Sequence, residues 1–250
     1  MSTPEKPPAA PGEIVELVRT IAAALAVALL LRVLLFQPFT IPSESMEPNL
    51  LVGDYVVITK FDYGWSRYSI PLSLPLFAGQ IAPRLVKRGD VVVFKKPGDE
   101  HAEDVIKRVV GLPGDRVRVS GGAVWLNEQL VAREPAGAGR DPGDASVAVT
   151  MYRETLGVHR PITLDRGAGH PGDDTGVYVV PAGHYFVMGD NRDNSADSRW
   201  PRGTGMGFVP AENVVGKARI VLWSWKPGAS LFKPWTWPNL RGERFFRPIA

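Results

Sequence analysis

IPSESMEP, which occupies residues 41–48, marks the point where the chain changes character. Before it lies an apolar run of membrane length, and after it come short β-type segments separated by glycine and proline. Pro42 and Pro48 restrict the backbone around the stretch. An extended segment would point Ser43 and Ser45 to the same side, because side chains alternate along a strand. We therefore expect this stretch to carry a nucleophile and one of its oxyanion donors, held just above a membrane.

The apolar run, residues 14–36, contains few residues that are not apolar: Glu16, Arg19, Thr20 and Arg32. As a helix it would be about 34 Å long, close to the thickness of a bilayer's hydrocarbon core. A cleaved signal peptide is the alternative, because residues 21–31 have the length of its apolar segment. Arg32 interrupts the run, however, and residues 36–39 offer no small-x-small cleavage site. We expect an uncleaved anchor, preceded by a disordered tail over residues 1–13 that is rich in proline and alanine.

The composition narrows the classes of function. The 250 residues carry Lys+Arg 29 against Asp+Glu 26, and the resulting net charge of +3 does not indicate a nucleic-acid partner. The absence of cysteine excludes disulfides, thiol nucleophiles and cysteine-ligated metals. Gly 26 and Pro 23 favour many turns and short strands over long helices.

Short β-type segments recur after residue 48. Those expected to form strands lie within residues 50–61, 91–94, 105–110, 116–119, 124–126, 177–180, 184–188, 214–216 and 218–225. Gly121 and Gly122 fit the turn of a hairpin, whereas residues 136–145 have the composition of a Gly/Pro/Asp loop. The aromatic segment 61–77 suits the core or, as we favour, a membrane-contacting surface. The aromatic and basic tail from residue 226 fits either place equally.

A nucleophilic serine needs a base, and Lys107 is the better candidate. None of the four histidines lies in a recognisable triad motif. Lys107 shares one face of its strand with Val105 and Val109. Burial on an apolar face lowers the pKa of a lysine, and a neutral amine can take the proton of a serine hydroxyl. The alternative, a lysine at a sheet edge with its amine in water, stays open from the strand alone.

A polar run, GDNRDNSADSR, occupies residues 189–199. A solvated acidic loop is the simplest interpretation. A calcium loop would need a mid-loop glycine and a terminal bidentate glutamate, and both are missing. Two arginines among three aspartates favour internal ion pairs that hold the loop in one shape, which is useful for aiming a side chain.

These motifs, and the order in which they follow one another along the chain, resemble those of the bacterial type I signal peptidases (leader peptidases). These are membrane-anchored endopeptidases with a Ser/Lys dyad that remove secretory signal peptides. After the anchor come IPSESMEPNLLVGD (41–54), RGDVVVF (88–94), IKRVVGLPGD (106–115) and GDNRDNSADSR (189–199). Matching segments run from about Val18 to Trp225, while residues 120–180 and the tail match only loosely.

The resemblance implies a mainly β, signal-peptidase-like fold of short antiparallel strands after one N-terminal transmembrane helix. It also divides the chain into a tail, an anchor, a catalytic core in two parts, a β-rich insertion and a second tail. The implied bounds are 1–13 for the N-terminal tail, 14–36 for the anchor, 37–119 and 181–225 for the two parts of the catalytic core, 120–180 for the insertion and 226–250 for the C-terminal tail.

Carried over residue by residue, the resemblance implies that Ser45 is the nucleophile and Lys107 the general base. The Ser43 hydroxyl and the Ser45 backbone N–H would form the oxyanion hole, and Ser195 would hydrogen-bond the lysine amine and orient it. Charged residues expected to brace the site are Arg108, Asp190, Asp197 and Arg199. Residues expected to line small apolar substrate pockets are Phe39, Ile41, Met46, Leu50, Val105 and Ile106.

The implied function is cleavage of signal peptides from secreted precursor proteins at small-x-small (Ala-x-Ala) sites through an acyl-enzyme, with no metal and no cofactor. Expected partners are the precursors, the lipid bilayer and the secretion translocon, and not nucleic acid. The expected location is the bacterial inner (cytoplasmic) membrane, crossed once, with the catalytic domain on the periplasmic or outer side. This orientation comes from the resemblance alone, because Lys6 is offset by Glu5 and Glu13 before the anchor.

Two other functions stay open. A related Ser/Lys peptidase could serve a dedicated pilin-like or conjugation-pathway substrate, or the chain could be a membrane-tethered binding module without catalysis. A self-cleaving repressor of the same catalytic type is disfavoured, because those proteins carry a DNA-binding helical domain where this chain has an anchor.

The sequence departs from the family pattern between the two serines, where Glu44 replaces the usual glycine. On an extended backbone Glu44 would point away from both serines. The segment 201–205 is longer than usual, and Asn49 replaces the commoner threonine.

Overall fold

A computed structural model describes residues 11–70, 73, 78–98, 103–229 and 233–249. Within these ranges one helix, α1 (Pro11–Leu34), is long and apolar enough to cross a membrane. Its candidate span has a mean hydropathy of 2.3 and is not buried in the protein. The helix ends before the predicted boundary at residue 36, because Phe36 pairs with Thr59 in a sheet. Residues 1–10 of the predicted disordered tail lie outside the described residues, whereas residues 11–13, which we expected to be disordered, form the start of α1.

The rest of the described chain is mainly β, which confirms the predicted fold class. The strands are β1 (Phe36–Thr40), β2 (Asp54–Thr59), β3 (Trp65–Ser66), β4 (Gln80–Ile81), β5 (Val91–Lys95), β6 (Asp104–Gly111), β7 (Arg116–Ser120), β8 (Ala123–Leu126), β9 (Gln129–Leu130), β10 (Arg133–Arg140), β11 (Ala148–Glu154), β12 (Ile162–Asp165), β13 (Tyr178–Val179), β14 (His184–Met188), β15 (Val209–Pro210), β16 (Val214–Ser224) and β17 (Arg247–Pro248). Short 3₁₀ segments lie at Glu44–Met46, Arg67–Ser69, Arg192–Asn194, Ala211–Asn213, Pro234–Asn239 and Gly242–Arg244.

The largest sheet is antiparallel and curled, with the order β1-β2-β16-β5-β6-β14-β15 and with β17 added to β16. β16 is one continuous strand where the sequence suggested two, and register shifts bend it along its pairing with β2 and β5. Gly216 allows the close approach, since a side chain there would lie 2.6 Å from the Thr59 carbonyl oxygen. The curl places β1 and β6 on opposite walls of one cleft, although they are not neighbours in the sheet.

Two smaller sheets are formed by the chain between β6 and β14. The sheet β13-β7-β8-β9 contains the predicted hairpin, in which Gly121 and Gly122 have φ of 55° and 72°. The sheet β10-β11-β12 contains a strand, β10, where the sequence predicted a loop over residues 136–145. That prediction is wrong over its first half, because β10 pairs with β11 and a register shift between Pro135 and Gly137 accommodates the proline. The proposed domain division stays a prediction.

Buried apolar side chains anchor the serine stretch to the main sheet. Ile41, Met46 and Leu50 are almost fully buried and pack with Val56 and Ile58 of β2. Each such side chain contributes about 1.5–3 kcal/mol to stability when it is removed from water. This packing fixes the backbone that carries Ser43 and Ser45 against the sheet.

The connection between α1 and the sheet is short and tied down. A single residue, Leu35, separates α1 from β1. The Leu35 carbonyl accepts a hydrogen bond from the Lys60 amide at 3.0 Å, and the Leu34 carbonyl accepts one from Trp65 Nε1 at 2.8 Å. The end of the helix is therefore fixed to the edge of the sheet.

The aromatic segment 61–77 and the aromatic C-terminal tail differ in how far their side chains are buried. In the segment 61–77, Tyr63 is a core residue whose hydroxyl donates to Asp90 at 2.7 Å, contrary to the membrane-surface expectation at that position. Residues 71, 72 and 74–77 of this segment lie outside the described residues. In the C-terminal tail the large aromatic side chains do not cover the core, and the exposed ones are Trp235, Trp237, Phe245 and Phe246.

The tail is held to β2 by a buried ion pair, which generates a stability prediction. Arg244 Nε donates to Asp54 Oδ1 at 2.8 Å, and both side chains are buried. Arg244→Ala leaves the Asp54 carboxylate buried without its cation, so we expect the free energy of unfolding to fall by about 3–5 kcal/mol. Denaturant unfolding of the detergent-solubilised chain measures the change.

Arg247→Ala is the matched control for this prediction, because Arg247 is exposed on β17. It should change the free energy of unfolding by less than about 0.5 kcal/mol. Equal stabilities for the Arg244 and Arg247 variants would contradict the anchoring role of the ion pair.

Candidate active site

The serine stretch begins extended and then turns. Ser43 has φ −129° and ψ 156°, but residues Glu44–Met46 form a 3₁₀ turn. The expectation that the stretch is extended throughout is wrong at Ser45, because the Glu47 amide donates to the Glu44 carbonyl and closes the turn. The two hydroxyls still meet, with Ser43 Oγ and Ser45 Oγ 3.3 Å apart.

Glu44 occupies this turn without a glycine-like backbone. Its φ is not positive, so the glycine usual in the resembling family is not required for the conformation found here. The Glu44 side chain instead makes contacts of its own. Its Oε2 accepts a hydrogen bond from Asn194 Nδ2 at 2.9 Å, and the carboxylate lies against Gly143. Glu44 therefore links the serine stretch to the 189–199 loop and to the inserted region.

Lys107 reaches Ser45 from β6. Its Nζ donates a hydrogen bond to Ser45 Oγ, and only 3% of the residue is exposed. Burial lowers the pKa of the Lys107 amine to about 8, although the carboxylates of Asp197 and Asp190 act in the opposite direction. The sequence left open a buried or a solvated lysine, and the structure shows the buried one. At this pKa the amine exchanges its proton near neutral pH, as a general base must.

β6 has a partner on both sides only over part of its length. β5 pairs with residues 104–108, whereas β14 pairs with residues 108–111. The first half of β6 therefore has an unpaired edge, and residues 103–107 line the cleft. An unpaired strand edge presents backbone donors and acceptors to an extended peptide.

Buried ion pairs hold the 189–199 loop beside Lys107. Asp190 accepts hydrogen bonds from Arg108 Nε and Nη2, both at 2.8 Å, and Asp197 accepts one from Arg199 Nε at 2.9 Å. Burial alone would raise the pKa of the Asp197 carboxyl, but Arg199 outweighs it and holds that pKa below its usual range. The four residues expected to brace the site are thus brought together. Ion pairing inside the loop is confirmed for Arg199 and Asp197, whereas Asp190 finds its partner on β6.

Ser195 lies beside the serine stretch but does not bond Lys107. Its Oγ is buried and the expected bond to the lysine amine is not formed in the described structure, whereas the hydroxyl helps to lower the pKa of the nearby Asp197 carboxyl. Gly189 lies against both serines, since a side chain there would be 2.3 Å from Ser195 Oγ and 2.4 Å from the Ser45 carbonyl oxygen. The Asn191 amide donates to the same carbonyl at 3.1 Å. The loop therefore packs directly on the backbone of Ser45.

The serines and Lys107 open onto a cleft of about 460 Å³. The predicted pocket residues that line it are Phe39, Val105 and Ile106. The other predicted pocket residues are buried in the core beneath it: Ile41, Met46 and Leu50. Further lining residues include Glu103, Asp104, Asn194, Ala196 and Met206. Asn194 and Ala196 flank Ser195 in its motif, so the sequence could have indicated them, but no pattern points to Met206.

A buried carboxyl group that the sequence did not indicate lies next to the turn of Ser45. Glu47 is 3% exposed, and its Oε2 has no hydrogen-bond partner in the described structure. Burial raises the pKa of the Glu47 carboxyl to about 7, and the nearby carboxylate of Glu44 acts in the same direction. Glu47 and Lys107 therefore change protonation over neighbouring pH ranges.

The arrangement is that of a serine hydrolase, because a serine hydroxyl bonded to a buried amine can be activated as a nucleophile. Within the described residues no group of three or more His, Cys, Asp or Glu side chains could hold a metal ion. A family model described as signal peptidase, peptidase S26, matches residues 14–223. The chain belongs to this family and is a serine peptidase of the signal peptidase I type.

Curated relatives agree with the family model. Signal peptidase I of Rickettsia typhi (strain ATCC VR-144 / Wilmington) is 37% identical over 216 residues, which cover 81% of this chain and 77% of the relative. Signal peptidase I of Rickettsia akari (strain Hartford) is 36% identical over 253 residues, which cover 91% of this chain and 90% of that relative. A crystal structure of a signal peptidase I from Enterococcus faecalis V583 is 24% identical, with a TM-score of 0.33 and coverage of 54% of this chain and 97% of that one.

The close packing at Gly189 generates a prediction. Gly189→Ala forces a methyl group onto the Ser45 carbonyl and the Ser195 hydroxyl, which should destabilise the fold by about 1–3 kcal/mol. Because the backbone of Ser45 must shift, we expect turnover per folded molecule to fall on the order of 10- to 100-fold. Steady-state kinetics on a model preprotein and thermal unfolding measure the two effects.

Gly176→Ala is the control for this substitution, since nothing lies within 4 Å of the side chain it introduces. It should leave both turnover and stability unchanged. Wild-type turnover in the Gly189 variant would show that the loop and Ser45 move independently.

Proposed function

We propose that this signal peptidase family member cleaves signal peptides from secreted precursor proteins at Ala-x-Ala sites, with Ser45 and Lys107 as its catalytic dyad. The observation that carries the proposal is the hydrogen bond between the buried Lys107 amine and the Ser45 hydroxyl. The membership of the chain in the family supports the substrate class. The proposed reaction uses no metal and no cofactor.

In the acylation step, neutral Lys107 accepts the Ser45 proton while Ser45 Oγ attacks the carbonyl carbon before the scissile bond. The Ser43 hydroxyl and the Ser45 backbone N–H stabilise the oxyanion, and such donors typically contribute about 2.7–4 kcal/mol each. Protonated Lys107 then gives its proton to the leaving amine. The C–N bond breaks, and the signal peptide remains as an ester on Ser45.

Deacylation repeats these steps with water. Lys107 takes a proton from a water molecule, which attacks the ester carbonyl, and returns it to Ser45 Oγ as the C–O bond breaks. Ser195 is proposed to orient the lysine amine during this cycle. Its buried hydroxyl lies close to the Asp197 carboxylate, whose charge also acts on the Lys107 amine, which supports that role.

The cleft suits an extended chain with small side chains. The free edge of β6 can pair with the backbone of the residues before the scissile bond. Phe39, Val105 and Ile106 line the cleft there, and Ile41, Met46 and Leu50 would set its depth from beneath. We infer that these apolar walls accept a small apolar residue and exclude a large one, which would account for the proposed Ala-x-Ala preference.

The proposed location is the bacterial inner membrane, with α1 as a single anchor and the catalytic part on the periplasmic or outer side. The exposed apolar length of α1 supports the anchor. The exposed tail residues Trp235 and Phe246 support contact with lipid headgroups. The bilayer and the secretion translocon are therefore the proposed partners, besides the precursors themselves.

The dyad is tested by removing each member. Ser45→Ala and Lys107→Ala should each reduce cleavage of an Ala-x-Ala preprotein by the detergent-solubilised chain to the uncatalysed background, because each step needs both groups. Both variants should stay folded in a thermal melt.

Exposed residues of the same types supply the controls. Ser146→Ala and Lys226→Ala alter side chains on the surface and should retain wild-type cleavage. Substantial turnover by Ser45→Ala or Lys107→Ala would refute the Ser/Lys assignment.

The pKa of Lys107 sets the expected pH dependence. Only the neutral amine acts as base, and burial lowers its pKa to about 8. With that pKa kcat/KM should rise about tenfold per pH unit up to about pH 8 and then level off. An unperturbed lysine would give the same rise near pH 10 instead. Initial rates measured between about pH 6 and pH 10 distinguish the two curves.

Glu47 must be separated from Lys107 in this experiment, because its carboxyl has a pKa of about 7. In the Glu47→Gln variant, kcat/KM should still rise with pH up to about pH 8. If this rise of kcat/KM is lost in the variant, the titrating group is Glu47, and the assignment to Lys107 is contradicted.

A further inference from the structure

The inserted β10-β11-β12 sheet holds the 189–199 loop through hydrogen bonds from its backbone amides. The Leu164 amide donates to the Asp190 carbonyl at 2.9 Å, and Leu164 forms a parallel bridge with Asn191. The Arg166 amide donates to Asp193 Oδ2 at 2.8 Å. The loop is thus joined at Asp190, Asn191 and Asp193 to β12 and to the residue that follows it.

A buried ion pair adds a side-chain contact from β11. Arg192 Nη1 donates to Glu154 Oε1 at 2.6 Å, Nη2 donates to the other carboxylate oxygen, and Nε donates to the Gly189 carbonyl at 3.1 Å. Both side chains are buried, with 6% and 2% exposed. All three kinds of guanidinium nitrogen are therefore engaged, and the planar group holds Gly189 at a fixed distance from β11.

The same part of the loop touches the proposed nucleophile. Gly189 lies against the Ser45 carbonyl, and the Asn191 amide donates to that carbonyl at 3.1 Å. A continuous set of contacts thus runs from Glu154 through Arg192 and Gly189 to the backbone of Ser45. A shift of Glu154 would be transmitted to the backbone of Ser45, because each of these groups contacts the next.

We propose that Glu154 is a positioning residue for the catalytic reaction, and that the inserted region serves to hold the 189–199 loop against Ser45. Glu154 does not touch the cleft and acts through Arg192. The proposal rests on the proposed Ser45/Lys107 chemistry. It predicts a slower chemical step with little effect on substrate binding, since neither Glu154 nor Arg192 lines the cleft.

Glu154→Gln tests the proposal, because it keeps the shape of the side chain and removes its charge. Glu134→Gln is the matched control. Glu134 lies on β10 opposite Arg153, one position along the same ladder, and its ion pair with Arg160 at 2.9 Å is exposed. Both variants, the wild type and Ser45→Ala are assayed as full chains in detergent on one Ala-x-Ala preprotein. The values of kcat and KM are expressed per folded molecule, as counted from unfolding amplitudes.

We expect Glu154→Gln to lower kcat on the order of 10- to 100-fold, with KM within about twofold of the wild type. Glu134→Gln should leave both constants unchanged. A residue that only stabilises the fold would change the amount of folded protein and its melting temperature, but not kcat per folded molecule. Wild-type kcat in Glu154→Gln, or an equal loss in Glu134→Gln, would overturn the proposal.

Glu154→Asp covers the case in which the glutamine variant does not fold. It keeps the charge that balances Arg192 but withdraws the carboxylate by one methylene. A lowered kcat at constant KM in this variant supports the proposal, and a wild-type kcat overturns it. A wild-type chain that fails to cleave the preprotein refutes the proposed function itself. Wild-type cleavage with unaffected Glu154 variants refutes only the positioning role.

Discussion

The site depends on keeping the Lys107 amine out of water. A buried ammonium group loses several kcal/mol of solvation, so the pKa of this amine falls from its usual value to about 8. The carboxylates of Asp190 and Asp197 limit that fall, and each is itself balanced by an arginine. The amine is therefore neither permanently charged nor permanently neutral. The braced loop and the core beneath the serines both serve to maintain this one environment.

Local patterns in the sequence explain the parts of the fold that could be predicted. Turn residues gave the hairpin at Gly121 and Gly122, and side-chain alternation gave β6 with Lys107 on a buried face. β10 could not be predicted, because its glycines and alanines have little strand propensity and its conformation depends on pairing with β11. The curl that sets β1 opposite β6 is a property of the whole sheet, which no short segment encodes.

The residues of the site also fall into two groups, those that local motifs predict and those that only the folded structure reveals. The serines, Lys107 and the 189–199 loop were found because their motifs are compact and their chemistry is specific. Glu47 and Glu154 were missed, because a glutamate in an ordinary stretch shows neither its burial nor a partner far away in the chain. Arg192 pairs with Glu154 across 38 residues, through a region whose sequence matches the family only loosely. Contacts of this kind become visible only when the strands are placed in space.

With α1 placed in a bilayer as proposed, the junction of α1 and β1 would limit how far the serine stretch stands from the membrane. With Leu35 alone between helix and strand, the catalytic part has no flexible tether. The five residues of β1 rise at most about 17 Å from the helix end to the serine stretch. A precursor whose apolar segment lies in the same bilayer would then have to span at most this distance with its own backbone. The cleavable bond would lie at most about five extended residues beyond that segment, so the anchor would also limit where a precursor is cut.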